Sequence, residues 1–139
     1  MVYVDTSVLV AMCTQEGKTA DALKWYTEST QELVSAAWCV TEFASAMGLK
    51  QRTGQLTAEQ AQTAWAMFER MCANDLQLLP VEVNTFHKAA MMTINATSGL
   101  RAGDALHLAC AVEAKCKSMA TLDVVLAKNA KLQKIGLEI

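Results

Sequence analysis

The chain has 139 residues, 53% hydrophobic and 19% charged, with a formal net charge of −2. That length fits a single domain spanning residues 1–139, large enough to bury roughly two-thirds of its unfolded surface without a covalent staple. The charge excludes a generally basic nucleic-acid glove, and apolar runs such as Val8 to Cys13 fall far short of the roughly 20 residues a membrane span needs.

The charge is unevenly spread: residues 1–100 carry six bases against ten acids, residues 101–139 six bases against four. Five cysteines (Cys13, Cys39, Cys72, Cys110, Cys116) show no CxxC and no zinc-ligand spacing, and no basic segment leads into an apolar one at the N-terminus. Reduced core thiols in a cytoplasmic protein are the expectation.

In chain order, Met1 to Val4 reads as a short apolar strand that ends in Asp5, where a helix to about Thr14 begins at once. Thr19 to about Ser29 is a second helix, with Ala22, Leu23, Trp25 and Tyr26 near helical spacing. Glu32 to Ala36 resembles a strand. Trp38 to about Arg52 suits a helix stopped by Thr53-Gly54, and Thr57-Ala58-Glu59-Gln60 has the form of a capping box opening a long helix to about Asn74. These two helices form a hairpin whose apolar surface is available for a dimer contact.

Leu76 to Val81 is a third strand, with Pro80 favouring a sheet edge. A helix from Val83 to about Ala96 leads to the loop Thr97-Ser98-Gly99, and Arg101 to Lys115 is rich in strong helix formers. Ser118 to Leu122 is a fourth strand, Val124 to Lys134 a final helix and Gly136 to Ile139 a fifth strand. Strands alternate with helices throughout, which implies an α/β fold: an α/β/α sandwich around a mostly parallel sheet of about five strands.

The carboxylates carry the chemistry. Of five aspartates, Asp5, Asp104 and Asp123 stand where a strand or loop hands over to a helix, and in a parallel sheet they face one edge, where ligands of such sheets bind. Each also has a reading as a helix cap or a partner of the helix dipole. Glu42 is harder to explain away. It sits in an apolar helix among Trp38, Cys39, Ser45, Ala46 and Leu49, without a base in helical reach, so it must be protonated, find a cation elsewhere in the fold or hold a metal. His107, three residues after Asp104, reads as a packed or hydrogen-bonded histidine rather than a ligand.

Four acids at one strand edge repel one another unless a cation intervenes, and oxygen donors suit Mg²⁺ or Mn²⁺. Such a site suggests phosphodiester hydrolysis by a metal-activated water, with Asp5, Glu42, Asp104 and Asp123 as ligands or, for Glu42, the group that orients the water. Ser7 and Thr121 add hydroxyls beside Asp5 and Asp123, and Lys115, Lys117, Lys128, Lys131 and Lys134 are candidates to hold phosphates. Dinucleotide, P-loop and nucleophile-elbow motifs are absent. A phosphate-accepting response domain and a non-catalytic binding module share the acidic edge and stand as alternatives.

The pieces Val4-Asp5-Thr6-Ser7-Val8-Leu9, Thr41-Glu42-Phe43, Leu100-Arg101-Ala102-Gly103-Asp104-Ala105-Leu106-His107, and Thr121-Leu122-Asp123 occur in the order found in PIN domains, which the chain resembles over nearly its whole length. The resemblance implies a metal-dependent ribonuclease holding Mg²⁺ or Mn²⁺ at Asp5, Glu42, Asp104 and Asp123. Within the family it looks most like VapC toxins of toxin-antitoxin pairs. That implies an RNA substrate, a VapB-type antitoxin, a homodimer and no membrane association. Stand-alone PIN nucleases of RNA processing share the same motifs.

Overall fold

The computed structural model describes residues 1–139. Five strands, β1 (Val2–Val4), β2 (Leu33–Ala36), β3 (Leu76–Leu79), β4 (Ser118–Ala120) and β5 (Gly136–Leu137), form one all-parallel sheet in the order β3-β2-β1-β4-β5. Helices α1 (Thr6–Cys13), α2 (Thr19–Glu28), α3 (Trp38–Arg52) and α4 (Ala58–Asn74) precede β3 in the chain. Helices α5 (Val83–Ile94) and α6 (Ala102–Glu113) come between β3 and β4, and α7 (Val124–Leu132) between β4 and β5. This is the expected α/β/α sandwich, and the order differs from the 2-1-3-4-5 of flavodoxin-like response domains.

A parallel sheet covered on both faces needs strands that are apolar throughout, and β1 is buried along its whole length. Its pleat sends Val2 and Val4 into one core with α1, α3 and α4, and Tyr3 into the other with α6 and α7. The hairpin of α3 and α4 belongs to the first core: the Phe43 and Phe68 rings stack with centroids 4.3 Å apart, and Met47, Ala61, Ala64 and Met71 are buried beside them. Much of the hairpin's apolar face is therefore turned inward, with Leu49 the large apolar residue it leaves exposed. Exposed apolar side chains gather instead on α5 and α7, among them Val83, Met91, Ile94, Val124 and Leu132. No helix is long and apolar enough to cross a membrane.

Local signals decide most boundaries. The Thr57 hydroxyl accepts from the Gln60 N–H at 3.1 Å and the Gln60 side chain accepts from the Thr57 N–H at 2.9 Å, closing the capping box that starts α4. Asn95 turns extended at φ −72°, ψ 92°, so the helix expected to reach about Ala96 stops at Ile94, and Gly99, at φ +70°, takes the left-handed conformation that ends the short 3₁₀ turn Ala96–Ser98. Strand β3 lies at the sheet edge, as Pro80 suggested. Strand β4 is shorter than expected because Ser7 Oγ accepts the N–H of Leu122 and Thr121 Oγ1 that of Asp123, both at 3.0 Å, drawing the chain off the ladder after Ala120.

The strand order reverses at β1: the chain adds β2 and β3 on one side, then returns to lay β4 and β5 on the other. The crevice beyond the carboxyl ends of β1 and β4 is thus the topological switch point, and Asp5 and the Thr121–Asp123 segment stand on its two lips.

Candidate active site

Asp5 is fixed first. Its N–H donates to the Ala120 carbonyl at 2.9 Å, carrying the β1–β4 pairing to its last residue, and the side chain is buried. The residue occupies the N-cap position of α1, but its carboxylate caps nothing. Oδ2 instead accepts from Ser7 Oγ at 2.6 Å and Thr121 Oγ1 at 2.8 Å, hydroxyls from both lips of the crevice. Asp123 is a true cap: its Oδ1 accepts the Leu126 N–H at 2.7 Å and starts α7.

Asp104 lies in the first turn of α6. Burial, then the charges of Asp123 and Asp5, push its carboxyl up to about 6, against the opposing pull of His107. No hydroxyl or backbone N–H donates to it in the way that Asp5 and Asp123 are supplied.

Glu42, half-buried on α3, finds the cation that its own helix lacks. His107, fully buried one turn beyond Asp104, turns Nε2 to Glu42 Oε1 in a short hydrogen bond, with Asp5 Oδ1 3.6 Å away on the same side. Thr6 Oγ1 donates to the same Oε1 at 2.7 Å. Burial would raise the pKa of Glu42, but the His107 bond and charge and the Thr6 hydroxyl outweigh it and hold the carboxyl below its usual range. His107 mirrors this: burial opposes its charge, yet the bond to Glu42 and the Asp5 carboxylate leave its pKa raised. The Trp38 indole N–H also helps keep Glu42 ionised, although it makes no hydrogen bond of good geometry.

All four acids line one open cavity of about 520 Å³, together with Thr6 and Ser7. Lys50 is the one basic residue in its wall, and its Nζ pairs with Glu16 Oε1 at 2.7 Å on the rim. The proposed phosphate-holding lysines do not gather here. Lys115 and Lys117 precede β4 and Lys134 precedes β5, which puts them at the amino edge of the sheet, opposite the site; Lys131 is in the last turn of α7 and Lys128 at its midpoint. A strand-helix alternation reverses direction at each element, so proximity to Asp123 in sequence does not carry across the molecule.

The donor set suits a hard cation. Asp5 and Asp123 each keep an oxygen outside the hydrogen bonds described, and Asp104 keeps both. No three His, Cys, Asp or Glu side chains form a ready-made coordination cage.

Sequence reasoning missed three contributors. Tyr3 Oη meets His107 Nδ1 at 2.6 Å, and the only hint was a hydroxyl-bearing ring in an otherwise aliphatic strand. Thr6, directly after Asp5, carries no sequence sign of its bond to Glu42 on a different helix. Gly103 gives clearance: a Cβ there would lie 2.6 Å from Glu42 Oε2 and 3.2 Å from Trp38 Nε1.

An acidic crevice at the switch point of a five-stranded parallel sheet is the arrangement of one recognised fold class, and the family model for the PIN domain matches residues 2–132. The chain belongs to the PIN domain family. Among solved structures it is similar to Mycobacterium tuberculosis VapC20, a sarcin-ricin loop cleaving toxin, with a TM-score of 0.75 and 14% identity over 93% of this chain and 95% of that one. No curated protein sequence gives a significant match.

Proposed function

We propose that residues 1–139 form an Mg²⁺- or Mn²⁺-dependent endoribonuclease, the toxin of a type II toxin-antitoxin pair, acting in the cytoplasm and restrained by a VapB-type antitoxin. The observation that carries the reading is the convergence of Asp5, Glu42, Asp104 and Asp123 on one cavity in which a single basic side chain, already paired, faces them. Membership of the PIN family and the fold shared with a toxin that cleaves the sarcin-ricin loop support it.

Asp5, Asp104 and Asp123 are the residues that would hold the metal, which would supply a water of lowered pKa and positive charge against that developing on the phosphate. Ser7 and Thr121 fix the rotamer of Asp5 by holding Oδ2, leaving Oδ1 for the cavity. Glu42 has one oxygen engaged by Thr6 and His107, so its task is to orient the attacking water and receive its proton through the other.

The test is cleavage of an RNA containing a sarcin-ricin loop with Mg²⁺ or Mn²⁺. Asp5→Asn keeps the size of the side chain and should cut the rate by roughly 10²–10³-fold, the scale of losing one preorganised electrostatic group. An unchanged rate would sink the assignment. Absence of metal binding by calorimetry, with the acid variants changing stability alone, would favour a non-catalytic module. A homodimer is the proposed assembly, and a concentration-independent monomer mass by light scattering would count against it.

A further inference from the structure

Behind Glu42 stands a buried chain of hydrogen bonds that the hydrolytic scheme does not use. It begins at the peptide of β2: the Ala36 N–H, which can only donate, gives its proton to Tyr3 Oη at 3.0 Å. Tyr3 Oη in turn meets His107 Nδ1 at 2.6 Å, in a T-shaped ring pair with centroids 5.6 Å apart. His107 Nε2 then reaches Glu42 Oε1, with Thr6 Oγ1 at 3.1 Å. Tyr3 and His107 are both fully buried, so no solvent stands in for a missing partner.

The direction of the last bond follows from its surroundings. A bare Nε2 lone pair would face the carboxylates of Glu42 and Asp5 at once, like against like. With a proton on Nε2 the ring donates to Glu42, and Nδ1 either accepts the Tyr3 proton or, in the imidazolium, donates to the Tyr3 oxygen. In both states Nε2–H points at Glu42. The carboxylate is thus held at Oε1 by two donors from β1–α1 and α6, while Oε2 rests against Gly103. A long, rotatable glutamate on α3 is given one position.

We propose that His107, backed by Tyr3 and the Ala36 peptide, is a positioning residue that holds Glu42 at the angle from which it addresses water in the cavity. This rests on the nuclease reading for its catalytic consequence. The arrangement of the relay itself does not.

The experiment compares His107→Gln, whose amide can reach the Nε2 position and donate there, with His107→Leu, which fills the space without a donor, and Tyr3→Phe. Expected are a loss of roughly 10²-fold in kcat for His107→Leu, the scale of a misplaced catalytic group, and a smaller loss for Tyr3→Phe, with recovery to within about tenfold of wild type by His107→Gln. KM should stay near wild type in all three, and Mn²⁺ affinity by calorimetry should fall in none, since losing the imidazole 3.6 Å from Asp5 Oδ1 only removes a competitor for the aspartates. Proton NMR of the metal-free protein supplies the second readout: a slowly exchanging imidazole N–H shifted downfield, lost in both His107 variants and moved in Tyr3→Phe. A kcat for His107→Leu close to wild type overturns the proposal, as does a fall in kcat, metal affinity and melting temperature together that His107→Gln does not relieve. Absence of the downfield proton in wild type overturns the relay. A wild-type protein that binds Mn²⁺ and shows the proton but cuts no RNA overturns the nuclease reading, and with it the catalytic role of His107, while the relay stands.

Discussion

Glu42 and Asp104 face the same cavity, yet their surroundings are opposite. Glu42 is served by a hydroxyl and an imidazole and is held ionised; Asp104 is pushed up to about 6 by burial first and then by the like charges of Asp123 and Asp5. The protein has finished one side of the pocket and left the other for something else to complete. Where donors are built in, the carboxylate is preorganised for a fixed task. Where carboxylates meet without donors, the fold carries a repulsion that a divalent cation would relieve. On the proposed nuclease reading, metal binding would rest on one wall and catalytic geometry on the other, and changes to each should be separable.

The largest separation is expected at Gly103, which precedes Asp104 in α6 but whose Cβ position faces Glu42 and Trp38. In Gly103→Ala the new Cβ meets Glu42 Oε2 at 2.6 Å, the far end of a flexible side chain, so the fold survives and Glu42 yields. Alanine also favours a helix over glycine by up to about 1 kcal/mol. Cleavage should therefore fall by roughly 10–10²-fold while the melting temperature holds or rises and Mn²⁺ affinity stays near wild type. A melting curve, a titration and a rate on one preparation decide it; equal activity would show that Glu42 is free to move without consequence.

Much of this contrast was legible in the sequence, but unequally. Asp5, Asp104 and Asp123 could be placed because each stands at a strand or helix boundary, where alternation alone assigns the edge of a parallel sheet. Glu42 was flagged by its apolar flanks and the lack of a base at helical spacing. Its partner could not be named, because His107 is 65 residues away and meets it only when α3 and α6 pack across the sheet. The same limit hid Tyr3, whose ring serves the core while its hydroxyl serves the site. The lysines failed for a related reason: charge counted along the chain ignores that each helix carries it back to the opposite edge. The hairpin shows the same limit, because apolar periodicity marks a buried face without saying how much of it the protein's own core buries.

On the unfinished wall, Asp104→Asn should act on stability. An aspartate raised from its ordinary 3.8 to about 6 holds a proton in the folded state that the unfolded chain has released. Metal-free stability should therefore fall as pH rises through that window, the reverse of a hydrogen-bonded carboxylate. Asp5, Asp123, Glu42 and His107 all face the group and contribute to its shift. After discounting for its partial exposure, the gain from Asp104→Asn near pH 7.5 in a chelator is on the order of 1 kcal/mol. Mn²⁺ should reverse the ranking by stabilising wild type more than the variant. Denaturant melts at pH 5 and 7.5, with and without metal, measure all of this, and a variant no more stable than wild type in chelator would mean that the repulsion is already relieved by solvent.

The smallest effect is expected at a carboxylate that resembles Glu42 in its partners and differs in its setting. Glu113, at the end of α6, accepts from Lys88 at 2.8 Å and from Thr85 at 2.7 Å, joining α5 to α6. The Lys88 bond and then the Thr85 bond hold its carboxyl below the usual range. Its stabilisation is thus present above the unfolded pKa and lost as pH falls through the folded one. The Lys88 partner is more than half exposed, so water and salt compete with the pair throughout. Glu113→Gln keeps an acceptor for Thr85 and should shift the melting temperature barely beyond error, with the residue of the effect disappearing in high salt. A shift as large as that of a core substitution would show that donor number alone governs these carboxylates. A negligible one assigns the importance of Glu42 to burial, which turns a hydrogen-bonding partner from a replaceable convenience into the only arrangement the side chain can adopt.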